Sequence, residues 1–179
     1  MDITVTEDEL SNVLRKLPNG KAPGPDRIPN EAWKEIPKTI RKELTETITG
    51  ILSSGELPAS FKESTIMALR KEKKKDYLLL GSYRLIALKN IIAKIVEKII
   101  ANRITEEAEA RGLLSWNQMG ARKNRSTLSA LELLTGSIQT AWAAKKKVVL
   151  VLGLDLAGAF DNVSYKRLLW VLERKGFLE

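Results

Sequence analysis

Apolar residues recur along the chain at spacings that predict a helix-rich fold with few strands. Thr6-x-x-Glu9 is a capping box, and Leu10, Val13, Leu14 and Leu17 follow at helical spacing. Pro18-Asn19-Gly20 ends that helix, and the Pro and Gly density of residues 21–26 predicts an ordered turn without regular structure. A helical pattern resumes near Asn30, breaks at Pro37, and continues with Ile40, Leu44, Ile48, Ile51 and Leu52 on one face. Residues 64–70 read as a strand, residues 71–76 as a Lys/Glu-rich tip, and residues 83–88 as the return strand of a hairpin. The clearest periodicity lies in residues 90–111, where Ile91, Ile92, Ile95, Val96, Ile99, Ile100 and Ile104 form a stripe that Gly112 ends. β-branched residues are mediocre helix formers, so tertiary burial must hold this helix.

Residues 113–124 read as a loop leading to a helix start at Ser126 and Thr127. Leu128, Leu131, Leu134, Ile138 and Trp142 mark the face this helix is expected to bury, and Lys145, Lys146 and Lys147 suit its C-terminal end. Residues 148–154 form a short apolar run, the pattern of a fully buried strand, ending at Asp155. Ser164 can cap a last helix carrying Leu168, Leu169, Val171 and Leu172, with Gly176 beyond it. No internal repeat or long linker interrupts this order.

Composition narrows the chemistry. The 179 residues contain no Cys and no His. A disulfide framework, a Cys nucleophile, a Ser-His-Asp triad and the usual Cys/His zinc sites are therefore excluded. Any metal must be held by oxygen, which favours Mg²⁺, Ca²⁺ or Mn²⁺. The net charge of +8 is uneven. Residues 61–125 hold fifteen Lys/Arg against seven Asp/Glu, whereas residues 1–60 are slightly acidic and residues 126–179 slightly basic. A localised basic surface suits a polyanion partner, and equally a solvated face. The acidic start lacks a signal peptide's apolar core, and no apolar run approaches the ~20 residues that span a bilayer, so the expectation is a soluble, intracellular protein.

Asp155 is the residue placed for chemistry. A carboxylate at the end of a strand, followed by the small-residue turn Leu156-Ala157-Gly158-Ala159-Phe160-Asp161, can meet a hard cation in a cleft. It can equally end the strand in a turn or cap the next element.

Four ordered blocks resemble the reverse transcriptases of non-LTR (LINE-type) retrotransposons. VLVLGLDLAGAFDNVSYKRL looks like their motif A, and NGKAPGPDRIPNEAWK is similar to the block they carry before the fingers. YRLIALKNIIAKIVEKIIANRI resembles the block beginning Tyr-Arg-Pro-Ile, and LLSWNQMGARKNRSTLSAL the block with Gln-x-Gly-Phe-Arg-x-Gly-Arg-Ser-Thr. The blocks lie between residues 19 and 168.

The resemblance implies an α+β right-hand polymerase, fingers and partial palm, helix-rich and truncated. Residues 1–60 would be a helical N-terminal extension, 61–147 fingers, and 148–179 the start of the palm. Asp155 would be the first catalytic carboxylate, binding Mg²⁺ for two-metal nucleotidyl transfer, with the Leu156 carbonyl as a possible further ligand. Phe160 matches the aromatic beneath the incoming sugar, where it would select dNTP over rNTP, and Asp161 fits a structural role. Arg84 would contact triphosphate oxygens. Lys71, Lys73, Lys74 and Lys75 would touch triphosphate or template, unless they are a solvated face. Arg122, Arg125 and Ser126 would contact template or nucleotide, unless they stabilise their loop.

Implied partners are an RNA template, a DNA primer and dNTP, with a nuclear location and no membrane. The sequence departs from the family at Arg27, where Gly is usual, and at Leu85, where Pro is usual. It departs again at Ala121, where a bulky residue is common, and at Lys123-Asn124, which replace Pro-Gly. Arg27 would take a positive φ only at a cost, while Asn124 tolerates it better. The chain contains no Asp-Asp pair, so the second carboxylate source of a two-metal polymerase is missing from it. The expectation is a polymerase fragment inactive alone; the alternative is a non-catalytic nucleic-acid-binding remnant.

Overall fold

The computed structural model describes residues 3–145 and 148–177. Lys146 and Lys147, expected at a helix end, lie outside the described residues. Seven α-helices and one two-stranded antiparallel sheet are present among the described residues, a helix-dominated α+β content. The chain divides into two compact units, the first ending at Thr105 and the second beginning at Glu106.

In the first unit, α1 (Glu7–Arg15) starts at Thr6, whose Oγ1 accepts the Glu9 N–H at 3.2 Å. Arg103 takes the Glu9 carboxylate through Nε and Nη2, both at 2.7 Å. That long-range pair replaces the reciprocal half of the capping box, and Arg103 also donates to the Thr4 carbonyl at 2.8 Å. The helical pattern after Asn30 splits at Pro37 as its sequence dictates, giving α2 (Asn30–Lys34) and α3 (Lys38–Ser54). A short α4 (Ala59–Lys62) leads into the sheet.

The core of this unit joins three helices. Leu10, Val13 and Leu14 of α1 and Leu44 and Ile48 of α3 meet Ile91, Ile95, Val96 and Ile99 of α5 (Ile91–Ala110), with Val5 alongside. Each fully buried Leu or Ile contributes about 1.5–3 kcal/mol, which holds an isoleucine-rich helix that propensity alone would not. Ile40 and Ile100 lie outside this core and are exposed. β1 (Ser64–Arg70) pairs with β2 (Tyr83–Lys89) from Ser64 opposite Lys89 to Arg70 opposite Tyr83. Every β1 residue is exposed, so the hairpin is an open ribbon.

The second unit contains the end of α5, α6 (Thr127–Ala143) and α7 (Tyr165–Arg174). Two cations close it at helix C-termini, where carbonyls lack intrahelical partners. Arg111 donates to the carbonyls of Gly176 at 3.1 Å and Lys175 at 2.6 Å, and Lys175 Nζ donates to the Leu113 carbonyl at 3.2 Å.

Two expectations fail here. The face of α6 marked by Leu128, Leu131, Leu134 and Trp142 is exposed, with Ile138 half-buried. Residues 148–154 form no strand and are mostly exposed. The α6 face lacks a covering neighbour among the described residues, and the apolar run lacks a pairing strand. Apolar patterning states a preference for burial, but a strand also needs a neighbour to receive its N–H and C=O groups. The two strands among the described residues pair with each other, leaving residues 148–154 without a ladder.

Candidate functional site

Asp155 lies in an irregular, exposed segment, and its carboxylate has no hydrogen-bond or ion-pair partner among the described residues. The turn after it is ordered by Asn162. The Asn162 N–H donates to the Gly158 carbonyl at 3.0 Å, and its Nδ2 donates to the same oxygen at 3.0 Å. Gly158 adopts φ +62°, a conformation that favours glycine, and a Cβ there would displace the Asn162 amide, whose Nδ2 would lie 2.8 Å away. Phe160, at the apex of this turn, is 95% exposed and packs into no core.

The donor set around Asp155 bears directly on metal binding. No group of three or more His, Cys, Asp or Glu that could hold a metal occurs among the described residues. Asp155 and the Leu156 carbonyl are hard oxygen donors suited to Mg²⁺, but by themselves they supply only part of a coordination shell.

The loop 113–126 is organised by an ion pair. Arg122 Nε and Nη2 donate to the two Glu109 oxygens at 2.9 and 2.6 Å, and its Nη1 donates to the Ser115 carbonyl at 2.7 Å. The Arg122 side chain is only 10% exposed. Hydrogen bonding from Arg122 holds the Glu109 carboxyl below its ordinary pKa, and Glu109 in turn raises that of Arg122. Arg122 therefore fastens the loop rather than facing solvent. Ser126 caps α6, its Oγ accepting the Ser129 N–H at 3.1 Å. Arg125 is exposed; its N–H donates to the Arg122 carbonyl at 3.3 Å, and its Nη1 makes a long contact with the Met119 sulfur at 4.0 Å.

On the hairpin, Arg84 is exposed opposite Leu69, and neither its guanidinium nor the ammonium group of Lys73, Lys74 or Lys75 has a hydrogen-bond or ion-pair partner among the described residues. Lys71 differs: its Nζ donates to the Gly81 carbonyl at 3.0 Å and its N–H to the Ser82 carbonyl at 2.8 Å, closing the tip.

The N-terminal turn is docked on the base of this hairpin. Asn90, buried between β2 and α5, accepts the Asp26 N–H at 3.1 Å and donates to the Ser60 carbonyl at 3.1 Å. A Cβ on Gly24 would fall 2.5 Å from the Lys89 and Asn90 backbone, so only glycine allows this approach. Arg27, Ala121 and Asn124 all adopt positive φ, at +58°, +56° and +60°.

Arg84 and the tip lysines thus belong to the first unit, and Asp155, Leu156, Phe160, Arg122, Arg125 and Ser126 to the second. Residues 71–178 match the family model described as reverse transcriptase (RNA-dependent DNA polymerase), more than half of the chain. The chain belongs to that family. The chain is 32% identical over 166 residues to a probable RNA-directed DNA polymerase from transposon X-element of Drosophila melanogaster, covering 91% of the chain and 18% of the relative. It is 29% identical over 170 residues to the RNA-directed DNA polymerase from mobile element jockey of the same organism, covering 95% of the chain and 18% of the relative. It is 27% identical over 177 residues to a 149 kDa protein of transposon TX1 from Xenopus laevis, covering 99% and 13%. The kinship is with LINE-type, non-LTR retrotransposons, and the chain spans less than one-fifth of these relatives' lengths.

Asn90, Asn162 and Glu109 organise these segments and are not evident from sequence as site residues. Asn162 has a local signal, a glycine four residues before an asparagine inside a turn. Asn90 and Glu109 have none, because Asp26 lies 64 residues from Asn90 and Arg122 lies 13 from Glu109.

Proposed function

We propose that this chain is the fingers and first palm segment of a retrotransposon RNA-directed DNA polymerase, and that it does not polymerise alone. The observation that carries this reading is family membership combined with an isolated Asp155: the expected first carboxylate is present and exposed, with no carboxylate cluster beside it among the described residues. In the complete polymerase, Asp155 and the Leu156 carbonyl would be ligands to Mg²⁺, an ion that activates an attacking hydroxyl and neutralises phosphate charge.

The chain's own residues have simpler tasks. Arg84 offers a planar guanidinium to triphosphate oxygens, and Lys73, Lys74 and Lys75 offer point charges to the backbone of an RNA template or its DNA primer. Phe160 presents a ring against which a ribose 2′-hydroxyl would clash, selecting dNTP. Arg122 and Ser126 hold the loop from which Arg125 reaches nucleic acid. A nuclear site of action accords with a polymerase that copies RNA into chromosomal DNA.

Primer extension on a primed RNA template with Mg²⁺ and dNTPs tests the reading. The expected result is salt-sensitive binding of the primed template without incorporation. Incorporation abolished by Asp155→Ala would overturn the inactivity, and absence of binding would overturn the polymerase reading itself.

A second reading, a non-catalytic nucleic-acid-binding module, draws on the basic tip and the absence of a carboxylate cluster among the described residues. Fluorescent dATP separates the two. A polymerase segment binds it with Mg²⁺ and weakens with Arg84→Ala, whereas a module of the second kind binds only the nucleic acid.

A further inference from the structure

The tip of the hairpin carries an apolar feature that phosphate contacts do not use. Leu78, Leu79 and Leu80 are consecutive and 93%, 61% and 92% exposed. A single exposed leucine is ordinary, but three together at the apex of a projecting ribbon form a patch that needs an occupant. Seven-residue strands at about 3.3 Å per residue carry that apex roughly 20 Å from the ribbon's base.

The tip is ordered beneath the leucines. The Tyr77 hydroxyl donates to the Lys71 carbonyl at 2.9 Å, and the Tyr83 hydroxyl donates to the Tyr77 carbonyl at 2.9 Å. The Tyr77 and Tyr83 rings meet edge to face at 6.2 Å, and the Arg70 guanidinium lies 5.2 Å from the Tyr77 ring centre. Ser82, buried, donates its hydroxyl to the Asp76 carbonyl, and Leu78 N–H is held by the Asp76 carboxylate at 2.8 Å. Polar groups and aromatic rings are thus satisfied inside the loop, and the leucines are held outward rather than folded onto the tyrosines.

Charge selects the occupant. Residues 70–76 carry five cations, Arg70, Lys71, Lys73, Lys74 and Lys75, against Glu72 and Asp76. A partner must therefore be polyanionic and also present an apolar face. Nucleic acid does so wherever a duplex ends, because the terminal base pair exposes its stacking surface next to phosphates. Apolar side chains inserted at base steps can open a stack, at a cost of a few kcal/mol per step.

We propose that the hairpin tip is a wedge for the junction between duplex and single-stranded nucleic acid, with Leu78 and Leu80 against the terminal base pair and Lys73–Lys75 on the flanking phosphates. The wedge rests on the proposed binding of nucleic acid and adds a task to it, the separation of a paired strand.

The test uses the whole chain and a forked RNA–DNA duplex with 2-aminopurine at the junction, beside a single-stranded RNA of equal length. Binding of the unaltered chain should raise the fluorescence about two-fold as the base unstacks. Leu78→Ser with Leu80→Ser should abolish that rise while leaving affinity for the single strand within about two-fold, since phosphate contacts supply that affinity. Lys73→Ala with Lys74→Ala and Lys75→Ala should weaken both complexes about ten-fold or more. Binding without any rise, or a rise unchanged by the leucine substitutions, overturns the wedge while leaving nucleic-acid binding intact. Leucine-dependent sedimentation with phosphatidylserine vesicles, without a fork signal, overturns it in favour of a membrane surface. No binding to either oligonucleotide overturns both the wedge and the nucleic-acid binding on which it rests.

Discussion

Arg27 occupies φ +58°, a conformation in which an L side chain crowds the backbone. Glycine removes that crowding and adds freedom to the unfolded chain, and the two effects oppose each other. Arg27→Gly is expected to be neutral to stabilising by up to about 1 kcal/mol, a rise in melting temperature of at most about 2–4 °C. The carboxylates of Glu109 and Glu31 give a second residue-scale prediction. The Arg122 side chain and the Gly20 N–H are the chief groups holding these two carboxyls below their ordinary pKa values. A carboxylate depressed by folding stabilises the native state above its unfolded pKa and loses that contribution as pH falls through the folded value. Urea midpoints measured from pH 7 downward should therefore drop through and below the usual carboxylate range, and Glu109→Gln should flatten the drop. Local signals are legible at this scale: Thr6, Ser126 and Ser164 each cap the helix their sequence predicts. Asn90 and Glu109 are not, because their roles depend on partners that only the fold brings near.

At the level of elements, the isoleucine stripe of α5 and the leucine face of α6 look alike in sequence but differ in what covers them. Ile99 is fully buried among α1 and α3 residues, whereas Leu131 is exposed. Ile99→Ala should cost about 2–5 kcal/mol in urea denaturation of the chain, and Leu131→Ser should change stability by no more than about 0.5 kcal/mol. Equal losses would contradict the packing described. Gly24→Ala offers a sharper test, since its Cβ would sit 2.5 Å from the Lys89–Asn90 backbone. It should cost about 1–3 kcal/mol, as overpacking does, and would also strain the Asn90 bonds to Asp26 and Ser60. The hairpin is legible because a tip rich in charge separates two runs of strand-forming residues. Residues 148–154 are not, because continuous apolarity does not suffice for a strand when ladder partners decide it.

For the whole molecule, the uneven charge acquires a location. The basic excess of residues 61–125 includes the exposed lysines of the hairpin tip, while Arg103 and Arg122 are consumed in ion pairs with Glu9 and Glu109. The net charge of +8 therefore overstates the cations available to a polyanion. The proposed function gives that surface a partner class, and with no carboxylate cluster beside Asp155 among the described residues it expects binding and catalysis to separate. The most direct measurement is affinity for a primed RNA template as a function of salt, for the unaltered chain and for the triple Lys73→Ala, Lys74→Ala, Lys75→Ala variant. Affinity should fall steeply and linearly on logarithmic axes, and the variant's slope should be shallower by about 2–3, near 0.7–0.9 for each phosphate that the lysines no longer neutralise. A salt-independent affinity, or a variant with an unchanged slope, would contradict the account.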